Sequence, residues 1–187
     1  MSFLDLILLS FGLAADATAV SITSGSIYKK AKFKDFARMA LYFGVFQSVM
    51  PVLGYFLGTS FEEIIKYFDH WVAFALLLFV GGKMIYEAIK NKAGVSESAQ
   101  FDDIHKLFVL AIATSIDALA VGITFSVIDM NLLFSVLTIG IITFFCSLIG
   151  VYLGKKVGKY LSNKVEIIGG IILIGIGIKI LVSHLLS

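Results

Sequence analysis

Two aspartates stand where a cation could be held. Asp16 opens the run Asp16-Ala17-Thr18-Ala19-Val20-Ser21-Ile22-Thr23. Asp117 opens Asp117-Ala118-Leu119-Ala120-Val121-Gly122-Ile123-Thr124, and six of the eight aligned positions are identical. Each aspartate is the only charge in a long apolar run, Leu6 to Tyr28 and Leu107 to Ile128. The midpoint of the first run is residue 17, and that of the second falls between 117 and 118. If these runs cross a bilayer, both carboxylates lie near its middle. An ionised carboxylate there costs at least about 2.5–3.5 kcal/mol, so it faces a bundle interior or a water-filled cavity. The neighbours are oxygen donors: Thr18 and Ser21 in the first run, Thr114 and Ser115 in the second. His70, His105 and His184 fall in loops or at helix ends, away from both aspartates. Oxygen-only surroundings suit Mg, Ca or Mn rather than Zn or Cu. The plainer alternative is a protonated carboxyl hydrogen-bonded between helices.

A second pair of faces carries fewer polar groups. Gly44, Gln47, Pro51, Gly54 and Gly58 recur at spacings of three and four and share one helical face. Gly140, Thr143, Ser147, Gly150 and Gly154 repeat it. Both faces contain G-x-x-x-G, which lets helices approach closely. Packing accounts for the glycines. Gln47 and Thr143 occupy equivalent places and offer side-chain oxygens at membrane depth, so they join Asp16, Asp117, Thr114 and Ser115 as candidate metal ligands. Pro51 frees the backbone carbonyl of Gln47, which gives either a kink or a ligand. Lys83 and Lys179 also match in the repeat; both read as snorkelling cations, with charge compensation or gating as the alternative. Gly150-x-x-x-Gly154-Lys155-Lys156 has neither the spacing nor the Ser/Thr of a P-loop. No ATP hydrolysis, other catalysis, cofactor or nucleic-acid partner is expected.

The elements that must position these groups are long helices. The chain has 187 residues, 59% hydrophobic and 15% charged, and its mean hydropathy is +0.98. Soluble domains carry about 25% charged residues, so this is a membrane composition. A single cysteine, Cys146, excludes an internal disulfide. Met1-Ser2-Phe3-Leu4-Asp5 lacks the basic region of a removable signal peptide. Six runs reach the roughly 20 apolar residues that a spanning helix needs: about 6–28, 39–61, 70–89, 107–128, 132–154 and 167–187. The expected fold is an all-α polytopic membrane protein.

Loop charges set the orientation. Twelve of the fifteen basic residues lie in the first, third and fifth loops, which hold Lys29, Lys30, Lys32, Lys34 and Arg38, then Lys90, Lys92 and Lys106, then Lys155, Lys156, Lys159 and Lys164. The opposite side has Lys66 beside Glu62, Glu63, Asp69 and Asp129. Positive loops stay cytoplasmic, so both termini are expected outside. At an offset of 96, Gly44, Gly54, Leu57, Gly58, Gly81 and Lys83 meet Gly140, Gly150, Leu153, Gly154, Gly177 and Lys179; the aspartate motifs are offset by 101. Residues 1–92 and 107–187 therefore read as two three-helix repeats joined by a cytoplasmic linker, 93–106. An odd number of helices per repeat inverts the second half, which is a secondary-transporter architecture with its site near the midplane.

With these residues in view, the chain resembles the MntP family of manganese efflux pumps over nearly its whole length. The most specific pieces are Ala111-Ile112-Ala113-Thr114-Ser115-Ile116-Asp117-Ala118, Asp69-His70-Trp71-Val72-Ala73-Phe74, Gly81-Gly82-Lys83-Met84-Ile85-Tyr86-Glu87, and Glu166-Ile167-Ile168-Gly169-Gly170 followed by Leu173-Ile174-Gly175-Ile176-Gly177. The resemblance implies six membrane helices, Mn(II) export across the inner membrane, and a site on the two motif aspartates. Two departures stand out. Ala14-Ala15-Asp16-Ala17 lacks the serine of the S-M-D-A form, and Gln47 replaces a residue that is sometimes Glu.

The resulting expectation is a secondary transporter in the cell inner membrane, exporting Mn(II) with protons as counter-ion. An exporter of another cation or a small cationic solute is the nearest alternative. An intramembrane aspartyl protease also uses two membrane aspartates, but its Gly-x-Gly-Asp motif is missing from both Leu13-Ala14-Ala15-Asp16 and Thr114-Ser115-Ile116-Asp117. Nothing in the sequence fixes the oligomeric state.

Overall fold

The structure is a computed structural model that describes residues 3–27, 32–60, 69–90, 104–128, 130–157 and 160–185. Most of the expected linker, and parts of the charged loops, lie outside the described residues. Within them every regular element is an α-helix: α1 (Phe3–Ile27), α2 (Phe33–Ser60), α3 (Asp69–Lys90), α4 (Ile104–Ala113), α5 (Ile116–Phe125), α6 (Leu132–Val157) and α7 (Tyr160–Leu185). Three are long and apolar enough to cross a membrane: Phe3–Ser26, Phe33–Ser60 and Leu132–Lys156. Taken together, α4 and α5 make a fourth, bent by 43° at the break between them. A shorter apolar stretch, Ile167–Lys179, lies in α7.

Local chemistry explains where helices begin. The Asp35 carboxylate accepts the Lys32 backbone N–H at 2.9 Å, the return half of a capping box. Arg38 adds an ion pair to Asp35 at 4.0 Å. This polar turn carries α2 back to Phe33, six residues before its apolar run at about 39. At α6 the Asn131 side-chain oxygen accepts the Phe134 N–H at 3.0 Å, an N-cap. Similarly, α7 begins at Tyr160 rather than near 167.

Helices α2 and α6 each bury one face and expose an apolar one. On α2 the exposed side is a stripe of Leu41, Val45, Val49 and Leu53; on α6 it is Leu137, Ile141, Phe145 and Ile149. Positions four apart lie along one side of a helix, and a contiguous exposed apolar face of this extent is rare on soluble monomers. Lipid is the solvent that such faces suit.

Inside, α1 packs along α6 and α7, α2 along α5 and α6, and α3 against α7 and, more thinly, α5. Backbones touch where side chains are missing. A Cβ on Gly54 would run into the Leu119 carbonyl, and one on Gly150 would lie 2.9 Å from the Thr18 carbonyl. A Cβ on Gly58 would lie 3.1 Å from the Ile123 carbonyl, and one on Gly154 would strike the Ile22 carbonyl. Gly44 and Gly140 face each other, each Cβ position 2.8 or 2.7 Å from the other's carbonyl. The glycines in these contacts are 96 apart and their partners 101 apart. Matching residues of the two sequence halves thus make matching contacts.

Candidate cation site

Asp117 lies in the first turn of α5. The break that creates this turn has a chemical cause. The Ser115 hydroxyl donates to the Ala111 carbonyl at 2.8 Å, the acceptor that a continuous helix would give to the Ser115 N–H. That N–H bonds instead to Ile112, three residues back, at 3.0 Å. The Thr114 hydroxyl donates to the Leu110 carbonyl at 3.0 Å. Serine and threonine hydroxyls that compete for helical carbonyls bend helices. Ser115 takes φ −117° and ψ 8°, the sparsely populated bridge region. The regular ladder resumes with the Leu119 N–H to the Ser115 carbonyl at 3.3 Å. The continuous span expected at about 107–128 is therefore two helices, and the break falls immediately before the aspartate. The positive end of the α5 dipole meets the Asp117 carboxylate.

Asp117 is buried; the backbone N–H groups of Asp117 and Ala118 at the start of α5 face its carboxylate without well-formed hydrogen-bond geometry, and no side chain bonds to it among the described residues. Asp16 on α1 is half-buried and near enough to act electrostatically on Asp117, as does the Lys83 ammonium of α3. The two motif aspartates, 101 residues apart, are thus neighbours in charge. Lys83 itself is exposed.

The other expected ligands are all buried. Gln47 is fully buried on α2; its side-chain N–H donates to the Leu13 carbonyl of α1 at 2.9 Å, while its side-chain oxygen has no partner. Thr143 is fully buried on α6 with its hydroxyl unpartnered. Thr114 and Ser115 are buried with their protons committed to carbonyls, so their lone pairs stay available. In the first half Thr18 and Ser21 do the same toward Ala14 and Ala17, each at 2.6 Å. Pro51 carries its carbonyl against Gly122, where a Cβ would collide with it.

Two features escaped the sequence reading. One is the helix break, which the Thr114-Ser115 pair inside an apolar run could have signalled. The other is the state of Ser147, read from the sequence only as part of a small-residue face and here buried with its hydroxyl unpartnered among the described residues. Among the described residues no three His, Cys, Asp or Glu side chains converge.

A family profile described as "Putative manganese efflux pump" matches residues 30–181. Relatives named "Putative manganese efflux pump MntP" run the full length of the chain. One from Rippkaea orientalis is 50% identical over 188 residues, covering 100% of this chain and 99% of its own. One from Ruminiclostridium cellulolyticum is 46% identical over 185 residues, covering 99% and 98%. One from Clostridium perfringens is 45% identical over 204 residues, covering 98% and 96%. No solved structure matches the chain. By identity and coverage together, the chain belongs to the MntP family of manganese efflux pumps.

Proposed function

We propose that this chain is a secondary transporter that exports Mn(II) from the cytoplasm across the inner membrane through a site built on Asp16 and Asp117. One observation carries the reading: a buried carboxylate at the start of a broken helix, faced by the backbone N–H groups of Asp117 and Ala118, with no side chain bonded to it among the described residues and a second aspartate within electrostatic reach. A buried charge left so is expensive unless something pairs with it. A divalent cation supplies that pairing, and two carboxylates neutralise it. Gln47, Thr143, Thr114 and Ser115 add hard oxygen donors, which favour Mn(II) over soft metals.

The architecture that fits is six spanning helices in two inverted repeats, residues 1–92 and 107–187. The matched glycine contacts at offsets of 96 and 101 support it. So does the broken helix at the site, a recurrent device of inverted-repeat transporters. Both termini would then be external and the basic loops cytoplasmic. Proton exchange follows from the same carboxylates: after metal release they take up protons, titrating as a coupled pair, and the neutral site resets. The backbone-tight crossings of α2 with α5 and of α1 with α6 favour an ion over a larger cationic solute.

The test is Mn(II) content and Mn(II) sensitivity of cells that lack other exporters and express the chain or its Asp117→Asn variant, with protein level followed by blot. Asn keeps the size and removes the charge, so the variant should insert and fail to export. Normal export by well-expressed Asp117→Asn would overturn the two-aspartate site.

A further inference from the structure

Two hydroxyls on α6 behave unlike others among the described residues. Ser10, Thr18, Ser21, Thr114, Ser115 and Thr138 each donate to a carbonyl one turn back on their own helix. Thr143 and Ser147 are fully buried and have no partner among the described residues. A hydroxyl sealed away from water and left unbonded loses stability, so its orientation points to an acceptor or ligand that completes it.

Thr143 and Ser147 are four residues apart and share a face. Continuing along that face, Gly150 meets α1 at the Thr18 carbonyl and at Ser21 Cβ, 3.1 Å from its Cβ position, and Gly154 meets it at Ile22. The contacts advance in the same direction on both helices, so α1 and α6 run parallel. Three residues before Gly150, Ser147 falls three residues before Thr18 in level, on the turn of α1 that carries Asp16. In the repeat its counterpart is Pro51, which has no side-chain polar atom, so pattern matching between the halves does not single it out.

We propose that Ser147 Oγ is an oxygen ligand of the transported divalent cation, acting beside Asp16 and setting preference for hard metals. The inference rests on the two-aspartate reading and adds a ligand from a different helix. It also makes a chemical forecast. Replacing the hydroxyl oxygen with sulfur puts a soft donor in the same place, and soft donors select soft metals.

The experiment uses purified full-length protein in lipid nanodiscs, in a Cys146→Ala background that removes the native thiol. Ser147→Cys should give a thiolate-to-cadmium charge-transfer absorption when Cd(II) is added, and Mn(II) should suppress it by competition. Its preference for Cd(II) over Mn(II) should rise about tenfold or more over the parent, the scale on which ligand changes act at metal sites. Ser147→Ala should weaken Mn(II) binding about fivefold, the worth of roughly one neutral polar contact. Ser135→Cys is the control; Ser135 is buried on the same helix and bonded to the Asn131 carbonyl, so its thiol should show no such band. No cadmium band in Ser147→Cys, or a band that Mn(II) does not compete away, overturns the inference. Should Ser147→Ala fold poorly, the near-isosteric Ser147→Cys still decides. Adding Asp117→Asn separates the two readings. If parent Mn(II) binding ignores that change, the two-aspartate site itself is wrong. If binding collapses with it while Ser147→Cys stays silent to Cd(II), only Ser147 is excluded.

Discussion

The side-chain amide of Gln47 on α2 donates to the backbone carbonyl of Leu13 on α1 at 2.9 Å. This single bond ties two helices of the first half together one turn before Asp16. It also fixes the other end of the amide, leaving the Gln47 oxygen buried and open. In Gln47→Leu the volume is nearly kept and both polar roles vanish. Interhelical hydrogen bonds in membranes average about 0.6 kcal/mol and reach about 1.7, so stability should fall by no more than that. Export should fall further, about fivefold or more, because an oxygen donor is gone. Thermal melting in detergent and Mn(II) efflux measured on one preparation separate the two effects. Equal, small losses in both would confine Gln47 to packing.

The two aspartates should behave as one unit. Asp16→Asn and Asp117→Asn each remove one of two charges opposing Mn(II), and each should bring export to background. Groups that act together are grossly non-additive, so the double variant should look little worse than either single. Residual export, if any, should be greater in Asp16→Asn. The second half-site is more fully built, with Thr114 and Ser115 where the first has Leu13 and Ala14. Parallel efflux assays of the three variants measure this directly.

A different pair predicts an asymmetry in stability. The Lys179 ammonium of α7 forms an ion pair with the Asp5 carboxylate of α1. Asp5 is buried and Lys179 is mostly exposed. Lys179→Met takes a cation away from a buried carboxylate, whereas Asp5→Asn releases a lysine that can snorkel to the interface. Lys179→Met should therefore lower the melting temperature more than Asp5→Asn does. Fluorescence-detected melting of both variants at equal concentration checks the order.

Orientation has its own test. Single cysteines at Lys30, Glu62 and Lys156, in the Cys146→Ala background, can be challenged with an impermeant thiol reagent on intact cells. Glu62→Cys should label from outside, and Lys30→Cys and Lys156→Cys only after permeabilisation. The reverse pattern would invert the topology and with it the direction of export.

The helices were legible because apolar runs free of charge have few other fates. Their ends were less so. The start of α2 lies in a charged turn, Lys32 to Arg38, that hydropathy assigns to a loop; a carboxylate bonded to a main-chain N–H keeps it helical. The break before Asp117 was hidden for a related reason. Hydropathy averages over about twenty residues, and a change of acceptor from Ala111 to Ile112 is one hydrogen bond. The candidate ligands were readable where the two halves match, as at Asp16 with Asp117 and Gln47 with Thr143. Ser147 was not, since a proline stands opposite it.

The helix crossings carry a consequence at the level of the gene. Every single-base change that replaces a glycine by another residue adds at least a Cβ. At Gly54 and Gly154 that atom would strike a main-chain carbonyl, which cannot rotate away. Overpacking of this kind costs about 1–3 kcal/mol, sometimes more. At Gly82 and Gly175 nothing among the described residues lies within 4 Å of the added carbon, and alanine in a helix gains about 0.5–1 kcal/mol over glycine. In a saturation library selected on manganese, codons 54 and 154 should return glycine alone, while 82 and 175 drift. Gly54 and Gly154 stand on the small-residue faces and Gly82 and Gly175 do not; the inheritance of each is decided by what its neighbour's backbone is doing.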